Sequence, residues 1–311
     1  MVDPIDGDTL NELEKQHDVT RAFGATTESF QKLIPDAEVL IFRSGVTVSA
    51  AVMECAPDLK LLIRAGSGID NLDLEYVHRH GLQLVRIPEP GAQAVAEMTF
   101  AFMLALSRNL ILADHMTRRG RWLKHELHSH LLAGRTLGII GAGNIGSRVG
   151  QVGAAMDMEV IGCVEHPSPV RAAELSARGI HLVDFDQVIT QADYLSVHVS
   201  LKDSTRNLIN ADVLARIKPG AFLMNLARGG VVDEHALFQA LTEGGRLGGA
   251  ALDVHKAEGE GKISPLAELP NVILTPHIGA MTIETQREIG RRIKETVNAF
   301  VAERVRETVS L

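Results

Sequence analysis

The sequence predicts an α/β protein made of two doubly wound, parallel-sheet domains. Three observations carry this. The chain has 311 residues, more than one hydrophobic core usually serves. Short apolar runs alternate along it with helix-like segments, the pattern of parallel sheets covered on both faces. The stretch TLGIIGAGNIGSRVG (residues 136–150) joins an apolar strand to a helix through a glycine-rich turn.

Taken in order, residues 10–16 and 29–34 read as helices, and 39–42, 59–63 and 82–87 as buried strands. Residues 94–120 read as one long helix. It is apolar around much of its circumference near 98–106, which suits a connector buried between domains or subunits. A second unit starts near Leu137, with further strands expected at 160–164, 194–199, 222–226, 250–254 and 272–274. After Pro276 the chain turns helical over 283–303 and returns to the first domain. The expected division is 1–97 plus 282–311 for the first domain and 98–281 for the second.

Hydrophobic residues make up 45% and charged residues 23%, ordinary globular chemistry. The net charge of −8 argues against a general nucleic-acid or anionic-membrane surface. Cys55 and Cys163 lie far apart, fit no metal spacing and read as small buried hydrophobes in a reducing compartment. The start MVDPIDGDTLNELE is acidic and lacks the apolar run of a signal peptide. No run reaches the ~18 apolar residues of a membrane helix. The expectation is a cytosolic protein with no nucleic-acid or membrane partner.

The glycine turn is the dinucleotide fingerprint in its required setting. Gly141 permits the tight turn, Gly143 lets the backbone approach a pyrophosphate, and Gly146 lets helix and strand pack closely. The free N–H groups of the helix then face the anion. A strand–turn–helix corner without a ligand is the plainer alternative.

Three polar positions follow later strands, on the edge where open α/β sheets bind ligands: Arg228, Asp253 with Glu258, and His277. An arginine can grip a carboxylate bidentately and polarise the neighbouring carbonyl. A histidine can deliver a proton as hydride reaches the carbon, and a carboxylate can hold the imidazole. Singly, His277 is equally a strand-end histidine, Arg228 a surface cation, and Glu258 a loop carboxylate with Glu260 beside it. His125, His128 and His130 match no zinc spacing, and no metal site is expected.

Several ordered motifs now point one way. They are RAGSGIDNLDL, AVAE, GRW, TLGIIGAGNIG, STRNLIN, KPGAFLMNLARGGVVDE, GAALDV and LPNVILTPHIGA. With them the chain resembles the NAD(P)-dependent D-2-hydroxyacid dehydrogenases over nearly its whole length. The resemblance implies a Rossmann cofactor domain and a flavodoxin-like substrate domain. It also implies NAD as cofactor, with NADP the alternative, a small 2-oxo or 2-hydroxy acid as substrate, and a homodimer. It gives Arg228 to substrate binding, His277 to acid–base work and Glu258 to support of His277. It places Gly141, Gly143, Asn144, Ile145, Gly146, Glu165, Val199, Ser200, Thr205, Leu226, Ala227, Asp253 and Gly279 around the cofactor, Asp253 near the nicotinamide amide. The backbone of Ser67 and Gly68 would meet the substrate carboxylate.

Within that family the chain looks most like the D-3-phosphoglycerate dehydrogenase branch. FRSGVTV and IRAGSG place Arg43 and Arg64 at strand ends, Lys124 follows the tryptophan, and GAMTIETQ resembles a branch motif. Extra cations there call for a second anion on the substrate, each charged hydrogen bond contributing roughly 1.5–3 kcal/mol. Pairing of both arginines with acids of their own domain is the alternative. The chain departs from the family pattern at several places. Val164 stands where an acid usually binds the ribose, with Glu165 next. Ser200 replaces a proline, Met281 a small residue and Gly91 an asparagine. A leading strand before Asp3-Pro4-Ile5 is missing, which predicts a loose or rearranged first domain. Rival readings are a reductase of a sulfonated or phosphonylated 2-oxo acid, a generalist glyoxylate or hydroxypyruvate reductase, and a non-catalytic NAD-sensing corepressor.

Overall fold

A computed structural model describes residues 1, 5–242 and 245–309, with the side chains of Thr27 and 305–309 left aside. Two compact units divide the chain, one comprising 1–91 and 280–311 and the other 92–279. The division therefore falls a few residues before the expected one, inside the first turns of a helix.

In chain order the first unit contains α1 (Gly7–Gln16), α2 (Thr27–Leu33), β1 (Val39–Phe42), α3 (Ala50–Met53), β2 (Leu61–Arg64), α4 (Leu74–Arg79) and β3 (Gln83–Arg86). Then α5 (Glu89–Ser107) begins in this unit and ends in the second. The second unit follows with α6 (Leu110–Arg118), β4 (Thr136–Ile140), α7 (Asn144–Ala155), β5 (Glu159–Cys163), α8 (Pro169–Ser176), β6 (His181–Leu182), α9 (Phe185–Gln191) and β7 (Tyr194–Val197). It continues with α10 (Ala211–Arg216), β8 (Ala221–Asn225), α11 (Glu234–Thr242), β9 (Leu247–Leu252) and β10 (Val272–Leu274). The last helix, α12 (Ile283–Val309), belongs to the first unit.

The first unit holds a three-stranded parallel sheet in the order β1-β2-β3. Because strand side chains alternate, its apolar strands feed two cores. Leu40, Phe42 and Leu62 pack with Phe30 and Val52 on one face, while Ile41, Leu61 and Ile63 pack with Leu13, Ile289 and Ile293 on the other. The sheet has helices on both faces, as expected of a doubly wound unit. The leading-strand expectation touches residues 2–4, which lie outside the described residues. The described part shows β1 paired with β2 alone among the named strands, and beside it a cavity of about 380 Å³ lined by Val19, Leu33, Val39 and Phe300 among others. Met1 donates from its ammonium to the Thr20 carbonyl (2.8 Å) and accepts from the Ala22 N–H (2.8 Å).

The second unit is a seven-stranded parallel sheet in the order β10-β9-β8-β7-β4-β5-β6. The strand order reverses between β4 and β7, so the crevice beyond their carboxyl ends is where such a sheet takes a ligand. The strand expected over 194–199 ends at Val197, and β6, only two residues long, carries too little pattern to be read from sequence. The single helix expected over 94–120 is two helices instead. Asn109 takes a left-handed φ of 52° between α5 and α6, whose axes differ by 60°. Its side-chain amide donates to the His128 carbonyl (2.7 Å), which holds the corner. Among the described residues no single helix is long and apolar enough to cross a membrane.

Helix α7 lies on the sheet through its glycines. A Cβ on Gly146 would stand 2.3 Å from the Gly141 carbonyl oxygen, and one on Gly150 would stand 2.4 Å from Ile180. A Cβ on Gly143 would meet nothing within 4 Å. Gly146→Ala should therefore destabilise the protein by about 2 kcal/mol in urea titrations, the usual cost of overpacking. Gly143→Ala should leave stability within about 0.5 kcal/mol while weakening NADH binding measured by fluorescence.

Candidate active site

The site is built on the carboxyl ends of β4, β7, β8, β9 and β10. At β4, Gly141 turns with a φ of +91°, and a Cβ there would strike the His198 carbonyl oxygen at 2.7 Å and Val199 at 2.8 Å. The N–H groups of Gly141 and Ala142 both donate to the Cys163 carbonyl. Gly143 caps α7 with no side-chain hydrogen bond, so the first turn of the helix is not closed by a side chain. Open space over Gly143 and an uncapped helix start make a cradle that a pyrophosphate fits. Asn144 is exposed and Ile145 half-buried in that first turn.

Beyond β5, the exposed Glu165 accepts from Lys202 Nζ at 2.8 Å. That bond and the nearby ammonium hold its carboxyl below the usual carboxylate value. Arg171 donates to the Ala142 carbonyl and to Glu174. Thr205 accepts from the Lys202 N–H at 2.8 Å and donates to the Ser200 carbonyl at 2.6 Å, so it shapes the 200–205 loop. Beyond β7, His198 is paired with Ser196 Oγ at 2.8 Å, and its Nδ1 is out of solvent with no partner among the described residues.

Beyond β8, Asn225 organises the loop of Arg228. Its amide donates to the Arg228 carbonyl (3.1 Å) and its oxygen accepts from the Ala227 N–H (3.1 Å). Leu226 and Ala227 are buried behind it, and Arg228 is half-buried, one guanidinium nitrogen donating to the Ala227 carbonyl at 2.7 Å. A Cβ on Gly229 would stand 1.8 Å from the His255 carbonyl oxygen, so only glycine lets this loop lie against the end of β9. Glu234, 7% exposed, accepts from the Lys256 N–H and ties α11 to the same place.

Asp253, 1% exposed, gathers the loop beyond β10. One carboxylate oxygen accepts from the Thr275 hydroxyl (2.6 Å) and the Ile278 N–H (2.8 Å), and the other accepts from the Gly279 N–H (2.7 Å). Its own carbonyl accepts from the His277 N–H at 2.8 Å. Held this way, His277 takes a left-handed φ of 56°. Its Nδ1 lies 2.9 Å from Glu258 Oε2, and Glu258 Oε1 accepts from the His255 N–H at 3.1 Å. Burial alone would raise the Glu258 carboxyl. The hydrogen bond and charge of His277, with the His255 amide and ring, bring it below its ordinary value.

In the first unit, Arg43 donates to Gln286 Oε1 at 2.5 Å and reaches Met281 Sδ at 3.5 Å. Arg64 is more enclosed. It is 4% exposed, donates to the Gly68 carbonyl (2.6 Å) and the Ala65 carbonyl (3.1 Å), and lies over the Phe42 ring. The physical reason is its place at the end of a strand buried on both faces, where a guanidinium must satisfy itself on backbone carbonyls. Arg86 donates to the Ser67 carbonyl, so two arginines build the 65–68 loop. Lys124 lies exposed in the second unit. Cys163 is buried and its thiol is pushed up by that burial, while Cys55 is half-buried. No metal-holding cluster occurs among the described residues.

Residues 100–279 match the family described as D-isomer specific 2-hydroxyacid dehydrogenase, NAD binding domain. The chain belongs to this family. It is 38% identical over 310 residues to the D-3-phosphoglycerate dehydrogenase of Methanocaldococcus jannaschii, covering 99% of this chain but 58% of that protein. It is 36% identical over 272 residues to the hydroxypyruvate reductase of Thermotoga maritima, covering 87% of each. The crystal structure of D-lactate dehydrogenase from Aquifex aeolicus, complexed with NAD and lactic acid, matches with a TM-score of 0.86 and 29% identity, over 97% of this chain and 94% of that one. The NAD-binding domain of the family is thus the second unit, and the glycine cradle of this chain fits that cofactor.

Arg228, Glu258 and His277 stand out in the sequence, whereas His198, Asn225, Glu234 and His255 do not. Only their burial and bonds separate them from ordinary polar residues. His198 has a consequence for pH. Burial pushes its imidazole down to about 4. The unfolded chain therefore takes up a proton near the ordinary histidine value of about 6.5, where the folded one does not. Stability should fall as pH drops from about 6.5 to about 4, by up to roughly 3 kcal/mol in urea titrations, and His198→Gln should flatten that slope. Parallel slopes for the two proteins would contradict it.

Proposed function

We propose that the chain is an NAD-dependent oxidoreductase that interconverts a D-2-hydroxy acid and its 2-oxo acid. The observation that carries this is the Glu258–His277 pair at 2.9 Å beside the Asp253-held loop, at the edge that also bears Arg228. Glu258 engages Nδ1 and so sets the tautomer. Nε2, which has no partner among the described residues, is then the nitrogen that exchanges a proton with substrate oxygen. Arg228 grips the substrate carboxylate with its forked donors and stabilises negative charge growing on the adjacent oxygen. NAD, with its pyrophosphate cradled at Gly141, Gly143 and Gly146, would supply or accept the hydride when bound. In reduction, protonated His277 gives its Nε2 proton to the oxygen and stays hydrogen-bonded to Glu258 through Nδ1. Oxidation reverses these moves.

The substrate carries a second anion such as a phosphate, in the manner of 3-phosphoglycerate, and Arg43 offers it a cation. The D-3-phosphoglycerate dehydrogenase relatives support this. Against it stand the inward-turned Arg64 and the hydroxypyruvate reductase relative, which favour an uncharged distal group. The protein works in the cytoplasm as a homodimer.

The deciding experiment is an initial-rate panel of glyoxylate, hydroxypyruvate, its 3-phosphate, sulfopyruvate and phosphonopyruvate with NADH and NADPH. His277→Ala should cut kcat by at least about 10²-fold, the scale of a lost general acid, with NADH affinity nearly unchanged. Near-normal turnover would remove His277 from the chemistry. Arg43→Gln should lower kcat/KM for the phosphorylated substrate about tenfold or more while sparing hydroxypyruvate. Equal losses for both would favour the generalist reductase.

A further inference from the structure

His255 lies against all three arms of the site. Its carbonyl is the surface on which Gly229, next to Arg228, is seated. Its N–H donates to Glu258 Oε1 at 3.1 Å. Its ring Nε2 lies 2.9 Å from the Thr275 carbonyl oxygen, two residues before His277. A carbonyl only accepts, so Nε2 carries the proton. Nδ1 is out of solvent with no hydrogen-bond partner among the described residues.

The Thr275 carbonyl has a second donor, the His277 N–H at 3.1 Å, which closes a γ-turn around Pro276. Both lone pairs of that oxygen are thus engaged, one by the turn that aims His277 and one by the His255 ring. His277, which ends the turn, is strained, because it holds a left-handed φ that a side-chain-bearing residue adopts at a cost. Such strain persists only when the surroundings hold it, and the ring of His255 is one of the holds.

We propose that His255 is a positioning residue for proton transfer: its ring fixes the γ-turn that carries His277, while its amide fixes the carboxylate that His277 faces. The inference rests on the reading of Glu258 and His277 as the acid–base pair. It assigns to one residue the alignment of both partners, through its backbone amide on Glu258 and its ring on the turn before His277, and it names the Nε2 donor as the working side-chain group rather than the ring's bulk.

The test uses three variants of the full chain. His255→Phe keeps a ring and loses the donor. His255→Asn keeps polarity but is too short to place its amide at the Nε2 position. His255→Gln places an amide N–H where Nε2 stands. The expected result is a kcat lowered about tenfold in the first two, the scale of a sub-ångström to ångström misplacement, with KM for the cofactor unchanged, and a return to within about threefold of wild type in the glutamine variant. A second readout does not depend on turnover. The proton on His277 Nδ1, hydrogen-bonded to Glu258, should give a downfield resonance in NMR spectra, assigned by its absence from His277→Asn. It should broaden or vanish in His255→Phe and His255→Asn and persist in His255→Gln. If one of the first two does not fold, the other answers the question. Wild-type kcat and an unchanged resonance in either would overturn the proposal, as would a glutamine variant no better than the phenylalanine one. If no 2-oxo acid is turned over by the wild-type protein, the functional reading fails, while the resonance still decides whether His255 aligns the pair.

Discussion

The carboxylate of Asp253 is the constraint on which the site depends. A charged group 1% exposed is tolerable only if donors surround it, and here the donors are the Thr275 hydroxyl and the N–H groups of Ile278 and Gly279. All three come from the loop after β10, so satisfying the charge and shaping the loop are one event. In that arrangement His277 takes a left-handed backbone. Bonds to a charged group contribute roughly 1.5–3 kcal/mol each, enough to offset a strain of about 1–2 kcal/mol. The direction of the imidazole follows, and with it the contact to Glu258.

The parallel sheet does the rest by adjacency. β8, β9 and β10 are neighbours, so the segments that follow them lie side by side. Close approach then needs special residues. Gly229 lies against the His255 carbonyl, where a side chain has no room, and Asn225 bonds both sides of its own turn. Glu234 joins the helix after that turn to the Lys256 amide. The same logic runs inside the sheet between β7 and β4, where Gly141 lies against the His198 carbonyl and Gly146 against Gly141, leaving Gly143 open for a ligand.

The first unit shows how a cation's position in a fold changes its meaning. Arg43 and Arg64 stand at the ends of neighbouring apolar strands, one register step apart, since Arg64 pairs with Phe42. Arg43 follows β1, is half-buried and reaches Gln286 and Met281. Arg64 ends β2, the central strand, where it is enclosed and turns its donors onto the Ala65 and Gly68 carbonyls. It therefore shapes the 65–68 loop by holding its carbonyls. A charge in a motif is a statement about chemistry, and its exposure is a statement about neighbours.

By itself the sequence determined the α/β class, the alternation that makes each sheet parallel and the glycine cradle after β4, and it singled out Arg228, Glu258 and His277 as candidates. These are legible because they depend on local rules: apolar runs of strand length, glycine where a Cβ cannot fit, and polar residues just past strand ends. The break between α5 and α6 was not legible, because Asn109 reads as an ordinary helix-compatible residue until its long-range bond to His128 is seen. Nor were the inward turn of Arg64, the hub of Asp253 and the bracing by His255. Each of these is a hydrogen-bond assignment between segments far apart in the chain, and such partners are chosen only when the sheet sets its strands in order and decides which polar groups lose their water.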